Sequence, residues 1–176
     1  MKKSILLLSL IGIVCAGMWG CSKSVLGQMT KMENGVYIDS GEMTIGDWIE
    51  YDWDLKRDKA LSHEEYTRLA MPDSVIFLRE HNVAYSAIRQ AYPYYRQYEK
   101  LTMVGLSHEQ CLAYCRWRTK KYNMIHPKQV TFSLPTTAML KRLAEKKSAK
   151  GDPMGDYSSD GNPSAKGMFR CVATAE

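Results

Sequence analysis

Three helix starts punctuate this chain, and they leave little freedom for the segments between them. Thr44 is followed three residues on by Asp47, Ser62 by Glu65 and Ser107 by Gln110. At each site a hydroxyl can accept a bond from a backbone N–H that has no partner inside the helix. Asp47 adds a carboxylate at the positive end of the helix dipole, and Ser62 and Ser107 complete the S-x-x-E and S-x-x-Q patterns of a capping box. After Thr44, the residues Ile45, Trp48, Ile49 and Trp53 recur near one face of a 3.6-residue period and predict a buried stripe. After Ser107 the apolar contacts are Cys111, Leu112, Cys115, Trp117 and Tyr122. Arg116, Arg118, Lys120 and Lys121 form the solvated side, well placed in the C-terminal half of a helix. Pro135-Thr136 starts a further helix to about Lys147. Gly35–Asp39 and Val130–Leu134 read as short strands.

Ahead of this body, Lys2 and Lys3 precede an apolar run from Ile5 to Ala16 broken only by Ser9 and Gly12. A basic start, a run of this length and small residues after it describe a secretory signal. The run falls short of the ~20 residues of a membrane span. It ends in Met18-Trp19-Gly20-Cys21, the pattern of a bacterial lipobox with Met18 where Leu is usual. The expected organisation is a signal peptide over 1–20, a lipidated tether over 21–34 and a folded domain over 35–176. Cys21 is then the acylated first residue, and the protein is anchored to a membrane rather than spanning it. Anchoring of this kind becomes stable with more than one acyl chain, at about 0.8 kcal/mol per buried CH₂. The competing reading is an ordinary cleaved signal with an incidental Cys21. Of 176 residues, 156 remain after the signal, enough for one domain with a real core. The net charge drops from +5 to +3 as Lys2 and Lys3 leave, a mixed balance without a nucleic-acid footprint.

Four segments then follow one another in a telling order: Val104-Gly105-Leu106-Ser107, Ala113-Tyr114-Cys115-Arg116-Trp117, Leu134-Pro135-Thr136 and Gly167-Met168-Phe169-Arg170-Cys171-Val172. The order resembles the formylglycine-generating-enzyme (sulfatase-modifying factor) family. Tyr37-Ile38-Asp39, with Glu42 and Thr44 before an aromatic-rich helix, is similar to that family's first motif, so the likeness touches both ends of the mature chain. It implies an irregular α+β domain of the formylglycine-enzyme or C-type-lectin-like kind, with short strands and two or three main helices, trimmed in its C-terminal half. Once Cys15 has left with the signal and Cys21 has taken lipid, Cys111, Cys115 and Cys171 remain, an odd number. Cys111 and Cys115 rise on one helix face and could bond only with strain. The resemblance implies a disulfide between Cys115 and Cys171, since the cysteines of A-Y-C and F-R-C are bonded in secreted members. Cys111 is then a small buried apolar residue.

The resemblance also marks what is missing. The family's active-site cysteines lie between its last two motifs, and the 30 residues from Thr137 to Lys166 contain none. Thr137, Met139, Leu140 and Lys141 stand where the family carries Glu, Trp and Glu. Lys146–Lys166 is polar and rich in Gly, Pro and Ser, and reads as a solvated loop. Asp152, Asp156 and Asp160 recur every four residues, but neither their spacing nor a following Glu fits a calcium loop. His63-Glu64 begins a zinc-protease pattern that fails at Thr67. His63, His81, His108 and His126 sit in polar surroundings and are expected to be exposed. No Ser-His-Asp set, nucleophile elbow or phosphate loop is visible. The expectation is a protein with no catalytic residue, no metal and no cofactor.

A narrower likeness rests on Pro72-Asp73-Ser74 leading to Phe77, on the cluster Tyr92-Pro93-Tyr94-Tyr95 with Tyr98, and on Trp117-Arg118-Thr119. It is similar to lipoproteins of Bacteroidetes gliding motility and type IX secretion, which keep the fold but serve as structural parts. This implies a non-catalytic outer-membrane lipoprotein whose partners are the membrane and other envelope proteins; a type VI accessory lipoprotein fits equally. Ser22, Lys23 and Ser24 after Cys21 lack the acidic pair of surface-exposed lipoproteins, so the expected orientation faces the periplasm. Two other classes stay open. One is a glycan- or peptidoglycan-binding module whose candidate surface, for a ligand or a partner protein, is Trp48, Trp53, Tyr94 and Tyr95. The other is a degenerate thiol oxidase using Cys111 or Cys171.

Overall fold

The antiparallel sheet is assembled from both ends of the chain. In the computed structural model, which describes residues 25–91 and 96–175, a single helical turn, α1 (Val25–Gln28), leads into the hairpin β1 (Thr30–Glu33) and β2 (Val36–Ile38). Next come α2 (Ile45–Arg57), α3 (His63–Ala70), α4 (Ser74–His81), α5 (Tyr85–Gln90) and α6 (His108–Ile125). The chain closes with β3 (Val130–Ser133), α7 (Thr137–Ala144) and β4 (Val172–Ala175). The strand order is β1-β2-β4-β3, so the last strand slots between the second and the third. Ile38 pairs with Val172 on one side of β4, and Ser133 pairs with Val172 on the other. The fold is α+β, with two long helices, α2 and α6. One boundary shifts: residues 30–33, expected in a tether, form the outer strand of the sheet, and Gly35 at φ +74° makes the turn into β2.

All three expected helix starts are capping boxes, at Thr44, Ser62 and Ser107, each with reciprocal bonds between the cap residue and the third helical residue. Thr136 caps α7 by accepting from the Met139 N–H. That helix stops at Ala144 rather than near Lys147, because Glu145, Lys146, Lys147 and Ser148 are all exposed and no packing holds a further turn. Asp73 starts α4, accepting from the N–H groups of Val75 and Ile76.

The core forms where α2, α6 and the approach to β4 meet. Trp48 stacks on Tyr114 at 5.8 Å and sets its edge to Tyr51 and Phe169. Aromatic side chains of this size bury 150–250 Å² each in general, so this cluster supplies a large share of the apolar driving force. The buried stripe of α2 is Ile45, Trp48, Ile49, Tyr51 and Asp52, and Trp53 remains 41% exposed. Asp52 occupies the position that continues the stripe. Its charge is compensated by Arg89 at 2.6 Å and by hydroxyl donations from Tyr66 and Tyr85.

The glycine of the V-G-L-S segment and that of G-M-F-R-C-V sit against each other. Gly105 N–H donates to Lys166 O at 2.8 Å, and Leu106 N–H donates to Gly167 O at 3.1 Å. Both glycines have positive φ, +77° and +64°. A Cβ on Gly167 would lie 2.5 Å from the N and O of Leu106, so only glycine allows this approach.

Candidate functional site

A groove of about 990 Å³ opens between the end of β2, the start of α2 and the second half of α6. Its floor is an ion pair. Arg118 grips Asp39 with two parallel bonds, Nη1 to Oδ2 at 2.6 Å and Nη2 to Oδ1 at 3.0 Å. Asp39 Oδ2 also accepts the Cys171 N–H at 2.9 Å, so the same carboxylate ties α6 to the entry of β4. The Arg118 guanidinium covers the Phe132 ring at 4.4 Å. Burial opposes its charge, and Asp39 more than offsets that, holding Arg118 firmly protonated.

Glu42, Thr44, Asp47 and Glu50 line the α2 side; Tyr114, Trp117, Lys121, Tyr122 and Ile125 line the α6 side. Lys121 and the Trp117 indole N–H both donate to Asp54, at 2.6 and 3.0 Å. Partial burial pushes the Asp54 carboxyl up, but the bonds from Lys121, Trp117 and Arg57 prevail and hold it below the usual carboxylate range. His126 stacks on Tyr122 at 4.1 Å beside the groove's apolar rim.

A second charged cluster lies next to this groove and shares Glu42 with it. Arg170 is fully buried and uses its whole fork of donors. Nε donates to Asp156; Nη1 donates to the carbonyls of Asp39 and Ser40; Nη2 donates to Glu42 Oε1 and Lys150 O. Burial pushes the Asp156 carboxyl up to about 7, and the neighbouring Arg170 only partly offsets that. The segment expected as a solvated loop is therefore a structural strap. Asp156 and Ser158 are buried, Asp152 caps a short 3₁₀ turn by accepting from Met154 N–H, and Asp160 accepts from the Thr137 N–H at the start of α7.

The thiols are sealed in the interior. Cys111, Cys115 and Cys171 are all buried and free, and the sulfurs of Cys115 and Cys171 lie 3.5 Å apart. The pair implied by the resemblance is thus adjacent, as thiols rather than as a formed bond. Burial pushes the Cys111 thiol up. The shared hydrogen bond with Cys171, and then burial, do the same at Cys115. Neither is disposed to form the thiolate a nucleophile requires. Among the described residues, no group of three or more His, Cys, Asp or Glu side chains is arranged to hold a metal ion, and no helix is long and apolar enough to cross a membrane.

Of the surface residues expected to meet a ligand or partner, Trp48 is fully buried, with its indole N–H donating to Ala70 O at 3.0 Å, and cannot serve. Trp53 is exposed but lies outside the groove. Cys21, Tyr94 and Tyr95 fall outside the described residues. His63 and His108 are exposed as expected. His81 is half-buried against Thr102 O, and desolvation lowers its pKa; His126 is also half-buried. The residues missed from the sequence are Asp39, Arg118, Asp156 and Arg170. A signal existed for Arg118: it continues the stripe Cys111, Tyr114, Cys115 at helical spacing, and an arginine on a buried stripe needs a buried acid. Compared with protein-family models, with curated proteins and with solved structures, the chain matches none.

Proposed function

We propose that this chain is a non-catalytic lipoprotein, a trimmed relative of the formylglycine-generating-enzyme family that serves as a structural subunit of an envelope-spanning secretion or gliding machine. In this reading Cys21 carries the lipid, and the domain faces the periplasm from the outer membrane. The observation that carries the non-catalytic part is the fate of the motif residues. Gly105 and Gly167 are consumed by backbone packing, Arg118 and Arg170 by ion pairs, and Cys115 and Cys171 by each other. Of these motifs, Tyr114 and Trp117 still face the groove, as aromatic surface. The groove between α2 and α6, with an acidic wall, a basic and aromatic wall and a rigid ion-paired floor, suits a docked protein segment.

The test is a mild-detergent pull-down of the tagged, lipidated protein with mass spectrometry, run beside a Lys121→Glu variant. A stoichiometric set of secretion or motility components that is depleted by the substitution supports the reading. Recovery of the lipidated protein alone sinks the subunit reading. In the exported protein, Cys115 and Cys171 are expected to be joined. Thiol titration after unfolding would then find Cys111 alone reactive among the three, and reduction would lower stability by about 4 kcal/mol in the chain-entropy model.

A further inference from the structure

Two consecutive large apolar residues end α6 in the open. Met124 is 72% exposed and Ile125 77%, both beside the half-buried His126. They line the same groove as Gln28 and Met29, at the beginning of the described chain. Gln28 is seven residues after Cys21. A fully extended chain spans at most ~3.3–3.6 Å per residue, so Gln28 lies within about 25 Å of the Cys21 backbone however the connection runs. If Cys21 is acylated, its backbone sits at the headgroups, and the groove end that carries Gln28 is held close to the bilayer.

Charge points the same way. From Gln110 to Ala144 the chain contains no Asp or Glu, while Arg116, Arg118, Lys120, Lys121 and Lys128 fall on α6 and just beyond it. Arg118 and Lys121 are engaged by Asp39 and Asp54. Arg116, Lys120 and Lys128 are exposed. An apolar pair flanked by exposed cations is the composition of a surface that settles into the headgroup boundary of an anionic membrane. The other exposed apolar pair, Val75 and Leu78 on α4, stands among residues of both signs and does not line the groove.

We infer that the C-terminal tip of α6 rests on the lipid surface, with Met124 and Ile125 inserted at the headgroup boundary and the neighbouring Lys120 and Lys128 over anionic headgroups. The inference rests on the anchor at Cys21, and it adds an orientation: the groove opens beside the membrane, where a partner approaching along the bilayer would meet it.

The acylated protein is reconstituted into vesicles of phosphatidylglycerol and phosphatidylethanolamine. An environment-sensitive fluorophore is placed at Ile125→Cys or, in a parallel sample, at Val75→Cys. Both sites are highly exposed, and the natural cysteines of the domain are buried. Mass spectrometry establishes acylation of Cys21 in the same samples. The expected result is blue-shifted emission and severalfold slower quenching by aqueous iodide at position 125, with water-like behaviour at 75. Water-like spectra at both positions on an acylated protein, or the reverse pattern, overturn the orientation and leave the anchor standing. An unacylated Cys21 overturns both.

Discussion

The helical body and the strap from Glu145 to Cys171 are held by opposite means. In α2, α3 and α6 the ends are satisfied within four residues of sequence, and the apolar stripes meet in one aromatic cluster. In the strap, regular structure is a single 3₁₀ turn, and one buried arginine reaches five partners, three on residues 39–42 and two within the strap itself. The first arrangement is many small, separable contributions. The second concentrates stability in a few charged atoms whose burial is favourable only while every partner is present. The strap therefore needs little apolar core of its own beyond Phe169, which joins the aromatic cluster of the helical body.

The sharpest way to break the contrast is Arg170→Ala. It leaves Asp156 and Glu42 facing a void and should lower stability by about 3–5 kcal/mol, read as a lower urea midpoint. An effect below about 1 kcal/mol would mean that the strap is held by something other than its arginine.

Acidity probes the same cluster. The folded-state pKa of Asp156 is about 7, above the ordinary 3.8, so between these values the folded protein binds more protons than the unfolded one. The contribution is fully present below about pH 4 and is lost as pH rises through about 7, by up to about 4 kcal/mol for this group. Denaturant titrations at pH 5 and pH 8 should show the loss, and Asp156→Asn should flatten it; an unchanged slope in the variant would remove Asp156 as the cause.

Gly167→Ala tests the seam between the two regions. The new Cβ would meet Leu106 backbone atoms at 2.5 Å in a left-handed conformation. The expected loss is about 2–3 kcal/mol by thermal or urea unfolding, with the strap detaching first in hydrogen exchange. The smallest effect belongs to the helical body: Ser107→Ala removes one cap and should lower stability by about 1 kcal/mol. It should add to the effect of Gly167→Ala only if the two regions are independent. Because Leu106 touches both, the double variant should depart from additivity.

Several features were legible from residues alone because their causes are local. Thr44, Ser62 and Ser107 announce helix starts by what stands three positions later, and the strands at Val36 and Val130 by short apolar runs between turn residues. The stripe of α2 is legible except at its end, where Asp52 is buried and Trp53, expected on the stripe, is exposed. The burial of Asp52 depends on Arg89, Tyr66 and Tyr85, which arrive from two other helices.

The sequence by itself determined where helices begin and that strands are short. Only the tertiary structure decided which charges are buried. Arg118 looked like one more cation on a basic face until Asp39 was brought beneath it, and the aspartates of the strap looked solvated until Arg170 and α7 were brought to them. The physical reason is that a cap or a stripe is a property of neighbours in sequence. The state of a charge is set by groups outside its own helix or turn, such as Asp39 for Arg118, 79 residues away, whose arrival decides whether burial is opposed or compensated.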